Sequence, residues 1–141
     1  MYTSLLIKVI QTPKIIESFS STNWNLLLRQ ADSAKMLARL AYYIDAQGLT
    51  NAVPEKTLNH INSEHVKVAH LHTQVKQEVI ELEQLFAKLD INAVYLKGTA
   101  YLLANLPLAQ GRYFSDIDIL LTQDEIAKVE NQVKGSIFNS L

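Results

Sequence analysis

Between Leu58 and Leu89 the chain sets Leu58, Ile61, His65, Val68, His72, Val75, Val79, Leu82, Phe86 and Leu89 at alternating steps of three and four. Such steps keep side chains on one face of an α-helix, and their alternation is the spacing of a coiled-coil seam. The pattern predicts one helix over about residues 54–89, roughly nine turns long, packed lengthwise against partners. Pro54 suits its first helical position, and Glu55 suits the positive end of the helix dipole. Two seam members are histidines. His65 and His72 lie two turns apart, too far for one metal ion without a third group, so they read as partly buried side chains satisfied by neighbours. His60 and His70 lie off the seam. Lys76, Gln77, Glu78, Glu81 and Glu83 read as a solvated face.

Candidate partners for the seam precede it. Residues 3–10 are apolar enough for a short helix, and Pro13 suits the first turn of another over Lys14 to Phe19. Thr22 is a candidate N-cap for a helix entering at Asn23-Trp24, with Leu27, Leu28 and Ala31 following at helical spacing. Ser33 is the candidate cap of a further helix, whose apolar face is Met36, Leu37, Leu40 and Ile44 and which ends at Gly48. Trp24 reads as a core anchor.

After the long helix the pattern changes. Asp90-Ile91-Asn92 is a turn and Ala93 to Leu96 a first strand, which runs through Lys97-Gly98-Thr99 into a short helix ending at Asn105. A loop around Pro107 leads to Gly111-Arg112, and Asp116 to Leu121 forms a second strand. Thr122 then caps a helix to about Val133, with Glu125 near its start. Lys134 to Leu141 has no clear pattern. On a strand, Asp116 and Asp118 share one face while Ile117 and Ile119 share the other. Two adjacent carboxylates call for a cation, and the usual one is magnesium carrying a phosphate. The Lys97-Gly98-Thr99 turn offers backbone N–H groups and an ammonium to an anion.

Composition narrows the partners. The 13 basic residues are dispersed and the net charge is −1, which argues against nucleic acid, whose phosphates require concentrated positive charge. The chain has no cysteine, so disulfides and thiolate metal sites are excluded. No apolar run reaches membrane-spanning length, and the N-terminus lacks a basic leader; a cytoplasmic protein without a membrane partner is expected.

Leu96-Lys97-Gly98-Thr99-Ala100, together with Gly111-Arg112 and Ser115-Asp116-Ile117-Asp118-Ile119-Leu120-Leu121, resembles the uncharacterised bacterial nucleotidyltransferase family of the DNA polymerase β-like superfamily. The resemblance covers most of residues 22–130 and includes the Trp24 helix and the Leu-rich helix after it. It implies an α+β protein: a helical region over residues 1–90, then over residues 91–141 the start of a polymerase β-like core, a small mixed sheet with helices. It also implies transfer of a nucleoside monophosphate from a nucleoside triphosphate, ATP being the expected one, to an unidentified acceptor. In that reading Asp116 and Asp118 are the catalytic acids and ligands of a two-magnesium site. Lys97, Gly98, Thr99, Arg112 and Ser115 hold the nucleotide.

Two departures matter. Many members of the wider superfamily have Gly-Ser where this chain has Lys97-Gly98-Thr99. The superfamily's third carboxylate, on a later strand, has no counterpart, since Asp124, Glu125 and Glu130 fall on the following helix and read as surface charges. The expectation is therefore the front part of a nucleotidyltransferase, either truncated or completed by another chain, with weak or absent turnover. Its open sheet edge favours self-association or a partner chain that completes the sheet. The alternatives are a non-catalytic nucleotide-binding or protein-interaction module, antitoxin-like or degenerate, and a helical scaffold in which the Asp pair is accidental.

Overall fold

The computed structural model describes residues 3–138. Met1, Tyr2 and residues 139–141, the last of these part of the stretch 134–141 read above, lie outside the described residues. Among the described residues, five shorter α-helices and a pair of short strands are arranged along one long helix. That helix, α4 (Glu55–Leu89), has 35 residues and so extends ~52 Å at the usual rise per residue. Pro54 stands at its cap rather than in its first turn. Asp90 ends it in the left-handed conformation, and the Ile91 N–H turns back to the Phe86 carbonyl at 3.0 Å. The seam behaves as its spacing predicts. Ile61, Val68, Val75, Val79 and Phe86 are buried, the other seam positions are partly buried, and the charged run from Lys76 to Glu83 faces out.

The first half of α4 is covered by α1 (Leu5–Gln11), a 3₁₀ turn (Pro13–Ser18), α2 (Ser21–Ser33) and α3 (Leu37–Ala46). Trp24, Leu27, Ala31, Leu40, Ile44 and Ile61 form the centre of this core, with Val9 and Ile16 closing it. The Trp24 ring meets Phe19 edge-on at 5.3 Å, as an aromatic pair prefers. Two expected caps are corrected. Ser20, not Thr22, caps α2: its Oγ accepts the Asn23 N–H at 3.3 Å while its own N–H donates to Asn23 Oδ1 at 3.0 Å. That reciprocal box needs a partner three residues on, and Asn23 supplies it. Ser33 is the last residue of α2 rather than the cap of α3, because Lys35 at φ 56° turns the chain before Leu37.

The second half carries β1 (Val94–Tyr95), α5 (Lys97–Leu103), a 3₁₀ turn (Pro107–Ala109), β2 (Ile119–Leu120) and α6 (Gln123–Phe138). The strands pair antiparallel, Val94 with Leu120 and Tyr95 with Ile119. Among the described residues the sheet is this one pair, not the small mixed sheet expected. The strands are also shorter than the apolar runs suggested, since ladder pairing stops at these residues. Val75, Val79, Leu102 and Ala109 form a second, smaller core, with Tyr95, Tyr101, Phe114 and Ile117 packed against it. Thr122 caps α6 as read: its Oγ1 accepts the Glu125 N–H at 3.3 Å, and its N–H donates to Glu125 Oε2 at 2.7 Å. These bonds hold the Glu125 carboxyl below its ordinary pKa. Among the described residues no helix is long and apolar enough to cross a membrane.

Gly111 joins the two halves. It has φ 67°, and a Cβ there would stand 2.6 Å from the Arg39 backbone. Only glycine accepts both conditions. The Arg39 guanidinium donates to the Leu108 carbonyl at 3.1 Å, and the Tyr113 hydroxyl donates to Glu64 at 3.0 Å across the same junction.

Candidate active site

The two motifs converge beside β1 and β2. Lys97 Nζ lies 3.2 Å from Asp118 Oδ2. The Leu96 N–H donates to the Asp118 carbonyl at 2.9 Å, and the Thr99 hydroxyl donates to the Asp116 carbonyl at 3.4 Å. These three links hold the Lys97-Gly98-Thr99 turn against the acidic segment. Asp116 itself precedes β2 in an irregular stretch, not in the strand expected for it. The alternation nevertheless persists. Ile117 packs on the second core while Asp116 is exposed and the Asp118 side chain is 34% exposed.

Each remaining candidate has a defined setting. Lys97 opens α5 at φ 51° with its side chain 69% exposed, so the ammonium has room to leave Asp118. Gly98 is buried, and a Cβ there would stand 2.7 Å from Phe114 Cγ. Thr99 is 1% exposed, and its hydroxyl ties the acidic segment rather than facing outward. The Arg112 guanidinium lies over the Tyr101 ring at 5.3 Å, a cation–π contact. Ser115 is exposed.

Side chains without a role in the sequence reading support this group. His72, on the seam of α4, donates from Nε2 to the Arg112 carbonyl at 2.8 Å; the carbonyl only accepts, so that nitrogen carries the proton. Its ring lies 5.1 Å from the Phe114 ring, tilted by 38°. His65 meets the Ala38 carbonyl at 3.4 Å in the other half of the molecule. Both seam histidines are thus satisfied by neighbours, as read. A polar residue recurring on an apolar stripe was the available signal that α4 makes directed bonds. Tyr95 secures β1 to α4 by donating to Glu83 at 2.6 Å. Burial, then that carboxylate, pushes its hydroxyl pKa upward.

No curated protein and no solved structure matches this chain. A family model described as uncharacterised nucleotidyltransferase matches residues 20–135, from the Ser20 cap of α2, through the converging motifs, into α6. With that match covering about four-fifths of its 141 residues, the chain belongs to the uncharacterised nucleotidyltransferase family.

Proposed function

We propose that this chain transfers a nucleoside monophosphate from ATP to an acceptor hydroxyl in a magnesium-dependent reaction on a polymerase β-like core. The observation that carries the reading is the 3.2 Å approach of Lys97 to Asp118, which joins an anion-binding turn to an acidic segment.

The donor set fits magnesium. Asp116 and Asp118 offer hard carboxylate oxygens, and Asp118 already faces a cation. Magnesium takes one or two carboxylates beside substrate phosphates and retained waters, which is what two acids and a triphosphate supply. When bound, the ion would neutralise the transferring phosphoryl group and lower the pKa of the acceptor hydroxyl. The chain's own residues do the rest. Lys97 exchanges Asp118 for a triphosphate oxygen, and the backbone amides of the Gly98-Thr99 turn add neutral donors. Arg112, steadied by Tyr101, offers a forked contact to phosphate, and Ser115 a further hydroxyl. The acceptor oxygen bonds to the α-phosphorus, the bridging bond to the β-phosphate breaks, and pyrophosphate leaves with that electron pair. The acceptor's proton is released to water.

All acidic residues of the sequence fall within the described residues, and no group of three His, Asp or Glu side chains among them is arranged to hold a metal ion. This favours slow turnover by the chain alone. It also favours, as a second reading, a nucleotide-binding or interaction module without catalysis. A sheet of two strands among the described residues leaves an outer backbone edge on each, which supports pairing with a strand from a second copy or another chain.

Calorimetric titration of magnesium-ATP and magnesium-GTP into the wild type and an Asp116→Asn/Asp118→Asn variant tests the assignment. Saturable binding that requires magnesium and vanishes in the variant is expected. No binding by a folded wild type would overturn the nucleotide site, and binding indifferent to magnesium would favour the second reading.

A further inference from the structure

Gly98 and Lys97 divide their conformational demands in an unusual way. Lys97, a residue with a full side chain, takes the left-handed conformation at φ 51°, whereas Gly98 beside it does not. Glycine at position 98 is therefore required by space and not by backbone angle. The space is filled by the Phe114 ring, three of whose carbons would lie within 2.9 Å of a Cβ. The ring also meets His72, which lies on α4 and bonds the Arg112 carbonyl. Phe114 thus touches both the long helix and the Lys97-Gly98-Thr99 turn, two residues before Asp116.

We infer that Phe114, backed by His72, is a positioning residue that sets the separation between the phosphate-binding turn and the magnesium-binding acids. The inference rests on the nucleotidyltransferase reading for its function and on ring packing for its geometry. A flat ring meets the glycine Cα more closely than a branched aliphatic chain of comparable apolar character can. Removing the ring lets the turn shift toward α4, and adding a Cβ at position 98 pushes the ring, and Asp116 with it, away. Either displacement spoils a site in which an error of about 1 Å matters.

Phe114→Leu keeps an apolar side chain against Val75 and Val79, and Phe114→Tyr keeps the plane. Two quantities are measured on the full chain: magnesium-ATP affinity, and hydrogen exchange of the Leu96 amide, whose bond to the Asp118 carbonyl spans the two motifs. Phe114→Leu is expected to weaken binding at least tenfold and speed Leu96 exchange at least tenfold, with the melting temperature lowered by only a few degrees. Phe114→Tyr is expected to stay within about threefold of wild type in both. Gly98→Ala should reproduce the leucine defect, and Phe114→Ala combined with it should recover part of the lost Leu96 protection, because the added methyl then has room. Wild-type affinity and exchange in Phe114→Leu would overturn the inference, as would strictly additive losses in the double variant. If the wild type binds no magnesium-ATP, the nucleotide reading fails, and the Leu96 exchange data decide the positioning role without it.

Discussion

Around Ile61, α4 packs on α3, which α1 and α2 back in turn through aliphatic and aromatic contacts, with Trp24, Leu27 and Ile44 nearly inaccessible. Around Val75 and Val79 it meets one short helix, a 3₁₀ turn and an irregular segment, and much of the hold comes from directed bonds through His72 and Tyr95. The first end supplies stability by removing apolar surface from water, a non-directional effect. The second end buries less and fixes positions by hydrogen bonds, whose geometry is demanding and whose net energy is modest. The converging motifs sit on that thinner end, where local opening is easiest.

The sharpest way to test this contrast is to remove the anchor of the thick end. Trp24→Ala should cost about 3–5 kcal/mol and lower the denaturant midpoint of the whole molecule, because the site end has too small a core to persist alone. Gly111→Ala attacks the joint instead. A left-handed alanine and a methyl against the Arg39 backbone together should cost about 3 kcal/mol. Amide exchange should then rise across α5 and β2 while α2 and α3 stay protected. Equal loosening of both halves would show that the joint does not separate them. At the far end of the chain, Thr122→Ala should cost about 1 kcal/mol and speed exchange only in the first turn of α6.

The smallest expected effect is alkaline. The Tyr95 hydroxyl titrates above its ordinary value near 10, so the unfolded chain loses that proton first. Its contribution is fully present below pH 10 and is lost as pH rises further. The site end should loosen in that window before the Trp24 core does. Tyr95→Phe should reduce the dependence, as read by exchange of the β1 amides, leaving the part carried by Tyr113, whose hydroxyl is also pushed upward by burial and Glu64.

The long helix was legible because its seam runs through ten positions with one unbroken spacing, and burial follows that spacing from Leu58 to Leu89. That Lys97-Gly98-Thr99 and the Asp pair belong together was legible from the motifs; the direct approach of Lys97 to Asp118 was not. Caps were less so: Ser20 and Thr22 are equally good residues in isolation, and the choice turned on Asn23 reaching back. The irregular path of Asp116 was hidden because an apolar run with alternating acids specifies faces without specifying a pairing strand. The roles of Phe114 and Gly98 depend on a contact between residues far apart in sequence, which no local pattern encodes.

The left-handed backbone at Lys97 separates durability from chemistry at a single position. Glycine there would relieve a strain of about 1–2 kcal/mol, and the exposed ion pair it removes is worth about 1 kcal/mol or less. Lys97→Gly should therefore melt no earlier than the native protein while lacking the ammonium that the proposed function assigns to the triphosphate. A variant survey ranked only by heat resistance would favour the disarmed molecule, so this site has to be screened by what it binds.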